Sequence, residues 1–228
     1  MMFAPITYPP YVAPLTAGAK RKRTPWGITK RPQWGPKVRR PAPKPLSIRP
    51  EFKCKDTTVN VNLNTTAATV LLSGIGRGDD MHERIGREVM LKSIQYEIKA
   101  AVTSGTGVDQ EGRIMIVYDK QCNGAVFNAT DVLTAADTTS FRNLTYRKRF
   151  WILSDEHFTL NASAESGSHL RMKYYRRVGL PITFNANDNG DVTDISTGSL
   201  YLLIIGSQAA GVTAGTVTGS ARVRFIDM

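Results

Sequence analysis

Residues 88–102 read EVMLKSIQYEIKAAV, which is the clearest strand signal in the chain. From residue 94 onward every second position is apolar or small: Ile94, Tyr96, Ile98, Ala100 and Val102. Because successive side chains of a strand point to opposite faces, this alternation predicts a strand with one buried and one wet face. Val89 and Leu91 follow the opposite phase, so we expect a bulge near Lys92 and Ser93.

Strand patterns also occur on both sides of this stretch. They lie at residues 57–64, 70–72, 113–118, 150–153, 158–160, 170–175, 182–184, 200–205 and 217–225. The 113–118 and 200–205 segments are almost continuously apolar, as expected of strands that are covered on both faces. Polar residues 154–156 separate two of the strand segments, so we expect a break in the strand there.

The secondary structure that these patterns predict is almost entirely β. Only residues 128–137 favour a helix, which Asn128, Thr130 or Asp131 could cap. Many short strands with one short helix indicate an all-β antiparallel sandwich or barrel, and no long helices alternate with strands as in a doubly wound α/β fold. We predict that residues 51–228 form an eight-stranded antiparallel jelly-roll sandwich.

The first fifty residues differ from the rest of the chain in charge and in proline content. They contain 11 of the 12 prolines, 11 of the 30 basic residues and no acidic residue, so the other 19 basic residues are balanced by 19 acidic ones. Proline excludes helix interiors and sheet ladders, and few aliphatic side chains are available for burial. We therefore expect residues 1–50 to be a disordered or partly extended basic arm on a formally neutral domain.

The arm combines cations with two indoles. Basic groups neutralise phosphates, and an indole stacks on an unpaired base, which contributes about 1–3 kcal/mol per base. The arm is therefore predicted to bind single-stranded nucleic acid without sequence preference. The predicted binding residues are Lys20, Arg21, Lys22, Arg23, Trp26, Lys30, Arg31, Trp34, Lys37, Arg39, Arg40, Lys44 and Arg49. The alternative is a solvated basic linker, or one that touches an anionic membrane, although no amphipathic helix supports membrane contact.

Four consecutive basic residues in the arm have a second interpretation. Lys20, Arg21, Lys22 and Arg23 resemble a nuclear-localisation cluster, which would make a nuclear import receptor a partner. Import and phosphate binding are compatible roles for the same residues.

Several segments of the body resemble one family when taken in order. They are residues 84–86, 113–119, 147–155, 158–160, 179–181 and 197–204. In these segments the chain resembles the coat proteins of small circular single-stranded DNA viruses, especially the geminivirus-like groups. The resemblance implies an icosahedral shell of about sixty copies of the chain, a minimum set by closed symmetry, with the arm directed inward to a single-stranded DNA genome. It also implies that the chain is found in the virion and, as a free subunit, in the host nucleus.

No motif for catalysis, metal binding or membrane insertion stands out. Two cysteines and three histidines are scattered without zinc-ligand spacing, and His157 beside Asp155 has no nucleophile motif. Asp188, Asp191 and Asp194 could hold a weak interfacial cation, although a turn is the better interpretation. We expect no enzyme, no cofactor and no metal site, and the longest apolar run, six residues, is too short to span a bilayer.

Three other functions remain open. They are the coat of a small RNA satellite virus, a monomeric cellular nucleic-acid-binding β-barrel and a sugar- or receptor-binding jelly roll. Two basic clusters of the body have two interpretations each, namely an inner surface that touches nucleic acid or ion pairs across subunit contacts. These clusters are Arg147, Lys148 and Arg149, and Arg171, Lys173, Arg176 and Arg177.

Overall fold

The computed structural model describes residues 51–102, 109–122, 124–162, 168–209 and 215–228. In this part of the chain nine strands are present: β1 Lys53–Asn62, β2 Ala68–Leu71, β3 Glu88–Val102, β4 Gln110–Asp119, β5 Phe150–Leu160, β6 His169–Phe184, β7 Ile195–Thr197, β8 Ser199–Gly206 and β9 Gly215–Asp227. One short helix, α1, covers Ala129–Val132, and a 3-10 turn covers Val192–Asp194. None of the helices found in these ranges is long and apolar enough to cross a membrane.

The strands form two antiparallel sheets. The five-stranded sheet has the order β1-β9-β3-β6-β7, and the four-stranded sheet has the order β2-β8-β4-β5. Strand β7 is a three-residue addition at one edge, so four longer strands remain in each sheet. This order, with β1 paired to β9 and β2 paired to β8, is that of two Greek keys wound into a jelly roll. The predicted eight-stranded jelly-roll sandwich is confirmed.

The core lies between the inner faces of the two sheets. On β3 the predicted apolar positions are buried, whereas Glu97 and Lys99 are exposed. All residues of β8 are buried, because a second apolar cluster covers the outer face of the four-stranded sheet. In that cluster Phe127 packs edge-on against Phe150 and Tyr201, with ring centroids 5.0 Å apart in both pairs. The continuously apolar runs therefore belong to doubly covered strands, as predicted.

The expected bulge on β3 is present. The register of β3 with both β6 and β9 shifts between Leu91 and Ser93. The extra residue lets Val89 and Leu91 point into the same core as Ile94, since all three side chains are buried.

Three boundary predictions are wrong. Strand β5 continues through residues 154–156 with only a bulge opposite Ile116 and Val117, because Asp155 has a cationic partner on β4. Strand β6 likewise continues through Pro181, whose carbonyl accepts a hydrogen bond from the Tyr118 hydroxyl. The helix is four residues long instead of ten, and its N-cap is Asn128. Asp131 Oδ2 accepts a hydrogen bond from the N–H of Asn128 at 3.0 Å.

A buried arginine joins two loops at one end of the sandwich. Arg84 is fully buried and donates hydrogen bonds to the carbonyls of Ile75, Gly86 and Asn187 at 3.1, 2.9 and 2.7 Å. Its guanidinium lies 4.1 Å from the ring centroid of Phe184, a cation–π contact. The β2–β3 connection is thereby held against the segment that follows β6.

A second arginine connects β4, β5 and the long segment between them. Arg113 makes two hydrogen bonds to the carboxylate of Asp155, at 2.8 and 2.9 Å, and also donates to the carbonyls of Thr138 and Ser140. Hydrogen bonding from Arg113 lowers the pKa of Asp155 from its ordinary value of 3.8, against the opposing effect of burial.

Replacing Arg84 by Met should lower the free energy of unfolding by about 2–5 kcal/mol, because three carbonyls, one of them buried, lose the guanidinium that donates to them. Denaturant unfolding of the free subunit measures this. The matched control is Arg87→Met, at an exposed position, which should cost less than about 0.5 kcal/mol. Equal midpoints for the two variants would contradict the structural role of Arg84.

Replacing Asp155 by Asn should destabilise the subunit near neutral pH and have a smaller effect in acid. A carboxyl whose pKa is lowered by folding contributes stability above its ordinary pKa, and this contribution is lost as the pH falls through the folded value. The difference in stability between wild type and Asp155→Asn should therefore shrink below about pH 3.8. Unfolding curves at several pH values test this, with exposed Asp79→Asn as the control; a difference that does not depend on pH would argue against the pairing.

Candidate assembly and nucleic-acid surfaces

The thirteen predicted binding residues of the arm, including the cluster Lys20–Arg23, all lie outside the described residues. Their role stays a prediction. The first described residue is Glu51, and β1 begins at Lys53, so the edge of the five-stranded sheet follows the arm directly in the chain.

One apolar patch is exposed on the segment between β4 and β5. Phe141 is 84% exposed and Leu144 is 72% exposed, and further along the sequence Tyr146 and Trp151, the second residue of β5, are 44% and 49% exposed. The segment is anchored, because Asn143 donates from its backbone to the carbonyl of Val132 and from its side chain to the carbonyl of Thr130. Anchored apolar side chains that face solvent make this segment a candidate interaction site. We call Phe141, Leu144, Tyr146 and Trp151 the loop patch.

A second group of exposed apolar side chains gathers at one end of the five-stranded sheet. It consists of Phe52, Met81, Ile85 and Met228. The N–H of Cys54 donates to the carbonyl of Met81, and the N–H of Met228 donates to the carbonyl of Glu88, which draws the β2–β3 connection and the C-terminus to the start of β1 and β3. Two different apolar surfaces on one subunit suit heterologous contacts, in which one surface of a copy meets the other surface of the next.

The first basic cluster of the body divides into two roles. Arg149 makes two hydrogen bonds to Asp119, at 2.9 and 2.7 Å, and Asp119 is completely buried. This bond raises the pKa of Arg149. Arg147 and Lys148 are exposed. Arg149 thus stabilises the subunit, and only its two neighbours are available to a ligand.

The second cluster, on β6, divides in the same way. Lys173 forms an ion pair with Glu97 at 3.2 Å, and Arg176 donates to the carbonyl of Leu153. Arg171 and Arg177 are exposed, and a hydrogen bond from Arg177 lowers the pKa of the Tyr175 phenol. One cation of the cluster, Lys173, is therefore paired with a carboxylate of the same subunit, and two other cations, Arg171 and Arg177, remain available to a ligand.

The weaker site candidates have structural explanations. His157 Nε2 lies 3.7 Å from Asp155, whose carboxylate is already held by Arg113. Asp194 accepts bonds from the Asn187 side chain and from the N–H groups of Gly190 and Asp191, so its oxygens stabilise the loop. Within the described ranges no three His, Cys, Asp or Glu side chains come together as a metal site.

Comparison with known proteins places this geometry in a family. The family model described as satellite tobacco necrosis virus coat protein matches residues 44–228. The capsid protein of satellite tobacco necrosis virus 1 is 29% identical over 160 residues, which cover 66% of this chain and 76% of that protein.

Solved structures with some similarity are also viral. A chain of desmodium yellow mottle tymovirus is 13% identical with a TM-score of 0.34, covering 92% of this chain and 96% of that one. A chain of the empty head of turnip yellow mosaic virus is 13% identical with a TM-score of 0.33, covering 90% of each chain. Both TM-scores are low, so the family assignment rests on the sequence match.

The match agrees with the resemblance to viral coat proteins but places the chain in a different group from the circular single-stranded DNA viruses. The reason is physical: the segments that carry the resemblance are mostly strands and turns of the jelly roll, and their order follows from the fold. Because the family model spans the entire described sandwich, the chain belongs to the satellite tobacco necrosis virus coat protein family and is a viral capsid protein.

Proposed function

We propose that this chain is the subunit of an icosahedral satellite-virus shell and that it packages single-stranded RNA through its basic arm. The family match over residues 44–228 carries the proposal. Residues 1–50, most of which precede the match, contain 11 basic and no acidic residues, as suits binding to phosphates. The satellite-virus family favours the RNA alternative over a single-stranded DNA genome.

The distribution of charge supports a division of labour between the two parts of the chain. Residues 51–228 contain equal numbers of basic and acidic residues, so the arm accounts for the net charge of +11. About sixty subunits would bring on the order of 660 positive charges to the nucleic acid. The arm binds the genome, and the neutral body binds its neighbours.

The exposed apolar surfaces support self-assembly over a monomeric function. A cellular nucleic-acid-binding protein that stays monomeric has no need of an anchored patch with Phe141 and Leu144 almost fully in solvent. The comparisons offer no support for a nuclear stage, so we assign Lys20–Arg23 to RNA phosphates and not to an import receptor.

Deleting residues 1–49 should give closed shells that lack nucleic acid, because the sandwich remains and the cationic arm is removed. Negative-stain electron microscopy and the ratio of absorbance at 260 and 280 nm, both after nuclease treatment, measure the outcome. Full-length shells are the control, and nucleic acid extracted from them should be degraded by ribonuclease but not by deoxyribonuclease. Truncated shells that retain a full nucleic-acid load would contradict the role of the arm, and extracted material sensitive to deoxyribonuclease would restore the DNA interpretation.

Replacing Phe141 and Leu144 together by Ser should weaken assembly without unfolding the subunit. Each side chain contributes about 1.5–3 kcal/mol when it is fully buried, so the subunit concentration needed for assembly should rise at least about tenfold. Light scattering over a concentration series measures this, and thermal unfolding should stay unchanged because both side chains are exposed in the free subunit. The control is Leu170→Ser, at an exposed position on β6. Assembly equal to wild type would show that the loop patch faces solvent in the shell.

A further inference from the structure

The side of the five-stranded sheet that faces away from the core carries cations from three strands. Strand register aligns these side chains in rows across the sheet. In one row Arg171 of β6 is opposite Lys99 of β3, which is opposite Thr218 of β9. A shallow hollow lined by these three residues opens at this row.

A second row of cations lies six residues further along β6. Arg177 is opposite Ser93, and Ser93 is opposite Arg224. Arg224 donates to Ser93 Oγ at 3.4 Å and to Gln95 Oε1 at 3.2 Å, so neutral acceptors orient its guanidinium. Six residues of an extended strand span about 20 Å, which separates the two rows.

The carboxylates on this side of the sheet are already used. Asp56 makes two 2.6 Å hydrogen bonds to Arg222, and Glu97 pairs with Lys173. In the ranges that the structure describes, no ion pair involves the cations of the two rows, which are Lys99, Arg171, Arg177 and Arg224. Uncompensated cations on a sheet face attract a polyanion, whereas the paired cations between them do not.

An aromatic ring lies between the two rows. Tyr175 is 56% exposed and is followed two residues later by Arg177, whose hydrogen bond lowers the pKa of the phenol. An exposed ring beside cations is a stacking platform for an unpaired base next to phosphate-binding groups. The arm shows the same combination, with Trp34 followed by Lys37.

The start of strand β1 lies beside the second row of cations. Strand β1 is an edge strand of the same sheet, and Cys54 of β1 is opposite Arg224. In the sequence, Arg49 is four residues before Lys53.

We propose that Lys99, Arg171, Tyr175, Arg177 and Arg224, here called the cationic face, bind the packaged single-stranded RNA. The four cations contact phosphates and the tyrosine stacks on a base. The cationic face is a second RNA surface on the folded body, distinct from the arm. This inference rests on the proposed function, since it requires that the shell packages nucleic acid.

The test compares two sets of substitutions in the full-length chain. The first is Lys99→Gln, Arg171→Gln, Arg177→Gln and Arg224→Gln together. The matched control removes the two ion pairs of the same surface, Asp56→Asn with Arg222→Gln and Glu97→Gln with Lys173→Gln, and leaves the net charge unchanged. The logarithm of the affinity for a single-stranded RNA oligonucleotide is measured against the logarithm of salt concentration. The magnitude of the slope of this plot should decrease by up to about 2.8 in the first set, or about 0.7 per lost phosphate contact. In the control it should stay at the wild-type value.

The RNA content of assembled particles separates failure of this inference from failure of the proposed function. If wild-type particles contain no RNA, the proposed function fails. A different result overturns only the cationic face. In that result, wild-type particles contain RNA and the 1–49 deletion empties them, but the fourfold variant keeps both the wild-type slope and the wild-type RNA load. A fourfold variant that folds but does not assemble also overturns the inference, because the surface is then a contact between subunits.

Two further measurements apply if the fourfold variant does not fold. Arg171→Gln and Arg177→Gln, made singly, should each reduce the magnitude of the slope by about 0.7, and unchanged slopes contradict the proposal.

Ultraviolet crosslinking of wild-type particles should join RNA to the peptide that contains Tyr175. Tyr146, exposed on the loop patch, is the control; adducts at Tyr146 without adducts at Tyr175 would overturn the proposal.

Discussion

The alternation of side chains along β3 is the constraint on which most of this structure depends. Strand β3 lies between β6 and β9, so its inward phase, which includes Ile94 and Ile98, supplies the centre of the core. Its outward phase supplies Glu97 and Lys99 to the surface. A slip of one residue would bury these two charges and expose the apolar set, which strongly disfavours any other register. The bulge after Leu91 keeps both halves of this long strand in phase with one core.

Buried or partly buried guanidinium groups then organise the long connections that the sheets leave open. Arg84 binds three carbonyls, Arg113 binds Asp155 and two carbonyls of the β4–β5 segment, and Arg149 binds buried Asp119. Each group satisfies several acceptors that would otherwise be costly to bury. The consequence for function is that Phe141 and Leu144 are exposed on an anchored segment, as a surface for another subunit requires.

Under the proposed function, the chain separates genome binding from shell formation by where it places charge. The charged residues of the arm are all basic, whereas the body has balanced charge and uses several carboxylates within the subunit. In the body, the uncompensated cations of the cationic face are the exception to this balance. Together with the arm they would give the RNA two kinds of contact. One is with the arm, for which no regular structure is predicted, and the other is with cations whose positions are fixed by strand register.

The sequence alone determined the β class, most strands and the bulge on β3, because strand period and apolar runs are local properties. The disordered basic arm stays a prediction from charge and proline content. The sequence did not determine that β5 runs through Asp155 or that β6 runs through Pro181, since the partners that permit this, Arg113 and Tyr118, are distant in sequence. Nor did it show that Lys99, Arg177 and Arg224 lie on the same side of one sheet. Only the pairing of β3 with β6 and β9 decided that, because strand pairing is a contact between segments far apart in the chain, and no local pattern records it.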